Sequence, residues 1–164
     1  MIKNKLRLTY LLGFILICCM LAGVAYLQAR GFNPCPLCIL QRYTLSLLGL
    51  IFLLGALFKL RKWNALVIGC SAILISALGI FLAGRQAWLQ HLPNPNHVDC
   101  GASLEYMLQV LPWKQVLSNV LQGSAECSQV EWQFLNLSLA DWSLIGFTVL
   151  LIIGIWQSWR ATRL

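Results

Sequence analysis

The chain has 164 residues, of which 59% are hydrophobic and only 10% charged, with a formal net charge of +7. A soluble domain is about 45–50% apolar and about 25% charged, so this chain cannot clothe a soluble surface, and its apolar richness excludes disorder. The composition is that of an integral membrane protein, and the positions of the basic residues matter more than their sum, so no nucleic-acid partner is expected.

Lys3, Lys5 and Arg7 precede an uncharged apolar run from Leu8 to Leu27. A basic start, an apolar run and the small residues Ala22 and Ala25 also describe a signal peptide. The run exceeds the usual 7–15 residues of such a region, so it is read as a retained helix. A short link, Gln28 to Leu37, leads to a second run from Ile39 to Phe58, with Arg42 near its start. Lys59, Arg61 and Lys62 join it to a third run, Trp63 to Ala83. A long segment, Arg85 to Asp141, precedes a fourth, Trp142 to Trp159, followed by Arg160 and Arg163. The runs are 18 to 21 residues long, and about 20 residues of helix cross a hydrocarbon core of about 30 Å. Backbone groups in lipid must pair internally, so each run is a helix.

The expected fold is therefore all-α: a single membrane domain, a four-helix bundle with a long loop between helices 3 and 4 at about residues 85–141. Eight basic residues cluster at one end of the alternating helices, while all five acids (Asp99, Glu105, Glu126, Glu131, Asp141) lie in the long loop. The positive-inside rule puts both termini in the cytoplasm and that loop outside. Trp63, Trp88, Trp142, Trp156 and Trp159 stand near helix ends, as interface aromatics do. Within the loop, Ser103–Leu111 and Trp113–Leu121 are amphipathic and separated by Pro112. They predict short helices, either lying on the membrane surface or forming a small subdomain with its own core. Ser138-Leu-Ala-Asp141 predicts a capped start for the last helix, with Asp in the usual Glu position.

The chemistry lies in the cysteines. Cys35-Pro-Leu-Cys38 sits just before the second helix on the outer side. A helix start offers free N–H groups and the positive end of the dipole, which favour a thiolate. A c-type haem would require His at position 39, which is Ile39. A zinc site would need two further ligands; His91, His97, Cys100 and Cys127 could be nominated, but no second Cys-x-x-Cys exists and no metal is assigned. A structural disulfide stays open beside the redox pair. Arg42 follows Cys38 by four residues and Cys35 by seven, offsets of about 40° and −20° that put all three on one helix face. It is either a cation holding a polar or anionic redox partner or an arginine reaching to outer headgroups. Cys100 and Cys127 form a second outer pair with 26 residues between them, a loop staple or part of an exchange relay. Cys18, Cys19 and Cys70 lie inside apolar runs and are read as small hydrophobes. Gly69, Gly79 and Gly84 are read as helix-packing surfaces.

The order Cys-x-x-Cys-Ile-x-x-Arg at the head of a second membrane helix resembles the DsbB family of disulfide bond formation proteins. So do Gly84-Arg85-Gln86-Ala87-Trp88-Leu89-Gln90, Asp99-Cys100-Gly101, Gly123-Ser124-Ala125-Glu126-Cys127, Glu131-Trp132-Gln133-Phe134-Leu135 and Trp142, over about residues 8–160. The resemblance implies a multi-pass protein of the bacterial inner membrane that reoxidises DsbA, a thioredoxin-fold periplasmic oxidant, and passes electrons to ubiquinone or menaquinone. It implies that Cys100 forms the mixed disulfide with the partner, that Cys127 pairs with it in the loop, and that Cys35 and Cys38 reoxidise that pair. Cys38 would meet the quinone as a thiolate, and Arg42 matches the family's quinone-side arginine. Some members carry an acid immediately before that arginine; here it is Gln41. A histidine after the third helix belongs to the quinone site in some members, and that role is not carried to His91.

Redox energetics support a relay over a staple. DsbA lies at about −120 mV and structural disulfides below about −300 mV, so the second could oxidise the first only against about 180 mV, or roughly 8 kcal/mol. The relay therefore needs thiolate-stabilised or strained pairs and a strong terminal acceptor. Two other classes stand against this reading. Vitamin K epoxide reductase-like proteins also link thiols to quinone, but their loop cysteines precede the Cys-x-x-Cys, whereas here they follow it. A membrane scaffold would use both disulfides only to stabilise the outer loop.

Overall fold

The computed structural model describes residues 2–32, 34–58, 61–91, 104–122, 127 and 132–163. Four long helices dominate: α1 (Ile2–Ala29), α2 (Pro36–Leu57), α3 (Lys62–Gln90) and, at the end, α6 (Leu139–Ala161). Each is long and apolar enough to cross a membrane. Between α3 and α6 lie α4 (Leu104–Val110), α5 (Trp113–Gln122) and a small antiparallel hairpin of β1 (Gln133–Phe134) and β2 (Leu137–Ser138). Arg7 Nη2 donates to the Leu57 carbonyl at 3.3 Å, tying the basic start of α1 to the end of α2. The bundle is multi-pass, with the cysteine chemistry at the opposite end.

Lipid is as apolar as leucine, so membrane helices associate through close packing of small residues rather than through hydrophobic expulsion. On α3 the buried positions Ala65, Gly69, Ala72, Ser76, Gly79 and Ala83 recur every three or four residues. They form the stripe against which α6 lies, the most extensive helix contact of the bundle. A Cβ on Gly79 would stand 2.3 Å from Phe147 of α6, so only glycine admits that ring. Across the α1–α2 contact, Tyr10 and Phe52 meet edge to face at 5.8 Å, an arrangement worth about 0.5–1.5 kcal/mol beyond its area. Cys18 and Cys70 project from the outer surface of the bundle, and Cys19 borders a groove beside α6.

One expectation shifts. The third helix does not stop at Ala83: α3 runs seven residues further, to Gln90, so Arg85 and Gln86 are helical rather than loop. Nothing in Gly84–Gln90 breaks a helix; the prolines come only at Pro93 and Pro95. Of the polar residues that follow the apolar run, Gln86 is buried against protein and Arg85 and Gln90 are half-buried. The two amphipathic loop segments form helices α4 and α5 as expected, and their Met107, Val116 and Val120 are buried in a second core with Leu37, Leu82 and Leu89 from the ends of α2 and α3. Arg85 Nε donates to the Leu121 carbonyl at 3.0 Å. It thereby satisfies one of the four orphan carbonyls in the last turn of α5 and puts a cation at the negative end of its dipole.

The start of α6 is capped as the sequence predicts. Asp141 N donates to Ser138 Oγ at 3.3 Å and Ser138 N donates to Asp141 Oδ2 at 2.9 Å, a complete capping box. The hairpin before it turns through Leu135 and Asn136, both at positive φ (55° and 60°). Trp142 Nε1 donates to the Phe134 carbonyl at 3.2 Å, and Phe134 stacks on Trp132.

Gly79→Leu is expected to force Phe147 out of its seat and cost about 1–3 kcal/mol, read as a lower thermal unfolding midpoint in detergent with helix content retained.

Candidate redox site

The site is assembled at the head of α2. Pro36 occupies the first helical turn, where its missing N–H costs nothing, and Cys35 is the N-cap, with extended backbone (φ −67°, ψ 162°). The Cys35 sulfur accepts from Cys38 N at 3.4 Å, the role that a serine or aspartate oxygen usually takes. This cap folds the two cysteines together: Cys35 Sγ and Cys38 Sγ are 3.0 Å apart, with Cys35 donating. Cys127, brought in from the segment after α5, is buried and makes a sulfur contact with Cys35. That contact, then the one with Cys38, then burial push the Cys35 thiol well above its ordinary range. Cys35 therefore sits as a neutral thiol between two other sulfurs.

Cys38 Sγ receives a second donor, Gln86 Nε2 of α3, at 3.0 Å. Gln86 Oε1 in turn accepts from Gln41 Nε2 of α2 at 2.7 Å, and both glutamines are buried. Arg42 is half-buried; it donates through Nη1 to Gln28 of α1, while its Nε is buried with no hydrogen-bond partner among the described residues. Cys38, Gln41, Arg42 and Gln86 together line one small cavity, closed on its other sides by Met20, Val24, Leu45 and residues of α6. Met20, Val24, Leu139 and Ser143 also border a much larger apolar cavity of about 570 Å³ between α1 and α6. Trp132 and Trp142 line this larger cavity too.

Of the residues singled out from the sequence, Cys35, Cys38, Cys127 and Arg42 converge here. Cys100 and His97 lie outside the described residues. His91 caps the end of α3, its Nδ1 2.7 Å from the Ala87 carbonyl. Three polar residues of the site carried no sequence expectation of a role: Gln28, Gln86 and the donor function of Gln41. A signal for Gln86 exists in hindsight. It continues the Ala65–Gly69–Ala72–Ser76–Gly79–Ala83 spacing by three more residues, so a carboxamide occupies a position in phase with the buried stripe. An interhelical hydrogen bond in a membrane bundle contributes on average only about 0.6 kcal/mol, too little for bundle stability alone to account for two glutamines beside a sulfur.

Among the described residues, no group of three or more His, Cys, Asp or Glu side chains is arranged to hold a metal ion. The chemistry the arrangement offers is thiol–disulfide exchange along a line of sulfurs, Cys127 to Cys35 to Cys38, ending beside an arginine and an apolar cavity.

Comparison with known proteins agrees. A family model described as "Disulfide bond formation protein DsbB" matches residues 6–157. The chain is 38% identical over 159 residues to a disulfide bond formation protein B of Nitrosococcus oceani, covering 96% of this chain and 94% of that one. It is 40% identical over 147 residues to one of Marinobacter nauticus, with 88% of each covered. It is 39% identical over 165 residues to one of Acinetobacter baumannii, with 94% of each covered. No solved structure gives a significant match. With four membrane-length helices, a Cys-x-x-Cys at the head of the second and these matches over nearly the whole chain, the protein belongs to the DsbB family of disulfide bond formation proteins.

Proposed function

We propose that this disulfide-forming oxidoreductase takes electrons from a DsbA-like thioredoxin-fold protein of the periplasm and delivers them to ubiquinone or menaquinone in the inner membrane. The observation that carries the reading is the convergence of Cys127, Cys35 and Cys38 on a cavity that Arg42 lines and that adjoins an apolar space between α1 and α6. The basic residues at the opposite end of the bundle support a cytoplasmic placement of both termini, with the cysteines outside.

The exchange steps follow from the order of the sulfurs. A partner thiolate attacks Cys100 of a Cys100–Cys127 disulfide and forms a mixed disulfide, releasing Cys127. Cys127, buried against Cys35, attacks that sulfur of the Cys35–Cys38 disulfide and expels Cys38 as a thiolate. The partner's second thiol resolves the mixed disulfide and leaves oxidised; Cys100 then recaptures Cys127, returning Cys35 as a thiol. Each step makes one S–S bond and breaks one. The chain is left with two electrons and one proton on the Cys35–Cys38 pair, beside the cavity.

The residues present fit a quinone. The buried Arg42 Nε has no acceptor among the described residues and supplies a cationic donor for a carbonyl oxygen. The apolar cavity has the size of an ordinary small-molecule site, about 300–1,000 Å³, and room for a ring with part of a hydrocarbon tail. Bound there, quinone supplies a two-electron, two-proton acceptor. Arg42 lines the small cavity that adjoins this space and orients the ring from there, Gln28 holds Arg42, and the apolar walls of α1 and α6 exclude water.

Purified protein with a reduced thioredoxin-fold oxidant and ubiquinone, followed anaerobically, is expected to lose quinone absorbance one-for-one with partner disulfides formed; partner oxidation without quinone loss would point to another acceptor. Cys38→Ser should abolish quinone reduction, and normal turnover in that variant would reject the assignment. Arg42→Gln should raise the quinone KM about tenfold while leaving mixed-disulfide formation with the partner intact, about the value of one hydrogen bond to a charged group. In a Cys38→Ser, Cys100→Ser variant, mild oxidation should yield a Cys35–Cys127 disulfide by peptide mapping, since those sulfurs are already in contact.

A further inference from the structure

A carboxamide has two unlike sides, a carbonyl that only accepts and an NH2 that only donates. Gln86 uses both. Its Oε1 is taken by Gln41 Nε2 at 2.7 Å, which leaves its Nε2 to face Cys38 Sγ at 3.0 Å. Gln41 is 6% exposed and Gln86 3%, so bulk water cannot replace either bond.

We propose that Gln41 is a positioning residue: by occupying the Gln86 carbonyl it fixes an N–H on Cys38 Sγ, and the pair thereby sets the reduction potential of the Cys35–Cys38 couple. The proposal rests on the reading of that couple as redox-active. Reduction breaks the S–S bond with two electrons and one proton, leaving a thiol on Cys35 and the charge on Cys38. A disulfide sulfur is a weak acceptor and a thiolate a strong one, so the Gln86 N–H favours the reduced form and makes the pair more oxidising. Because neither amide titrates, this donor is present at every working pH. Arg42, lining the same cavity, is the cation in its surroundings. The arrangement also gives Gln41 a meaning that its charge alone does not. A carboxylate there would accept only, would draw Gln86 Nε2 to itself, and would turn Oε1 onto the sulfur.

The test uses the full chain in detergent, free of quinone, with Cys100→Ala and Cys127→Ala to isolate the couple. It is equilibrated in glutathione buffers, where two GSH give one GSSG per disulfide reduced, and the disulfide fraction is read by alkylation and mass spectrometry. Gln86→Met should favour the disulfide about tenfold, a potential lower by about 30 mV. Gln41→Glu should shift it the same way and at least as far; Gln41→Met, which keeps the shape but removes the donor, should shift it less. Unchanged equilibria in both Gln86→Met and Gln41→Glu, or Gln41→Met matching Gln41→Glu, would overturn the proposal. If Gln86→Met does not accumulate as folded protein, the two Gln41 variants decide. A parent protein that forms no Cys35–Cys38 disulfide in any buffer would instead sink the redox reading itself.

Discussion

A polar group in hydrocarbon has no water to bond, so it must find its partner within the chain. That constraint governs the backbone of the four spans, although buried side-chain atoms such as Ser76 Oγ and Gln157 Oε1 have no partner among the described residues. It makes the four apolar stretches helices, because only a helix satisfies its backbone within one segment. It puts small residues where α3 meets α6, since close backbone approach supplies the attraction that hydrophobic expulsion cannot. At the head of α2, polar side chains are gathered into two hydrogen-bonded sets. Gln28 meets Arg42, Gln41 meets Gln86, and Gln86 meets Cys38, so that α1, α2 and α3 are joined by side-chain bonds at the level of the Cys-x-x-Cys.

The same constraint suits sulfur as a reactive group. Sulfur tolerates an apolar setting, and a neutral thiol needs few partners there. Cys35 is held in that neutral form by Cys127 and Cys38 on its two sides. Cys38 receives both donors on offer. The asymmetry between two cysteines only three residues apart comes from position: one caps the helix and the other lies inside its first turn.

Much of this was legible in the residues alone. Apolar run length gave four spans, helical spacing placed Arg42 with Cys38, and Ser138 with Asp141 marked the start of α6. The residues around the Cys-x-x-Cys carried the family resemblance. What was not legible was the length of α3. A drop in hydropathy after Ala83 reads as leaving the membrane, whereas the helix continues to Gln90 because its polar face is covered by α5 and by the head of α2. That misplacement hid Gln86, whose role depends on being helical and in phase with Ala83. The proximity of Cys127 to Cys35 was equally out of reach, since 91 intervening residues carry no local signal for a contact made by tertiary packing.

The choice of a sulfur as helix cap has a mechanical consequence. The atom that closes the first turn of α2 is the same atom that touches Cys127 and Cys38. In the exchange proposed above, movement of Cys35 toward one disulfide partner or the other would carry with it the acceptor offered to the Cys38 amide. The N–H of Cys38 would thereby register which sulfur Cys35 holds.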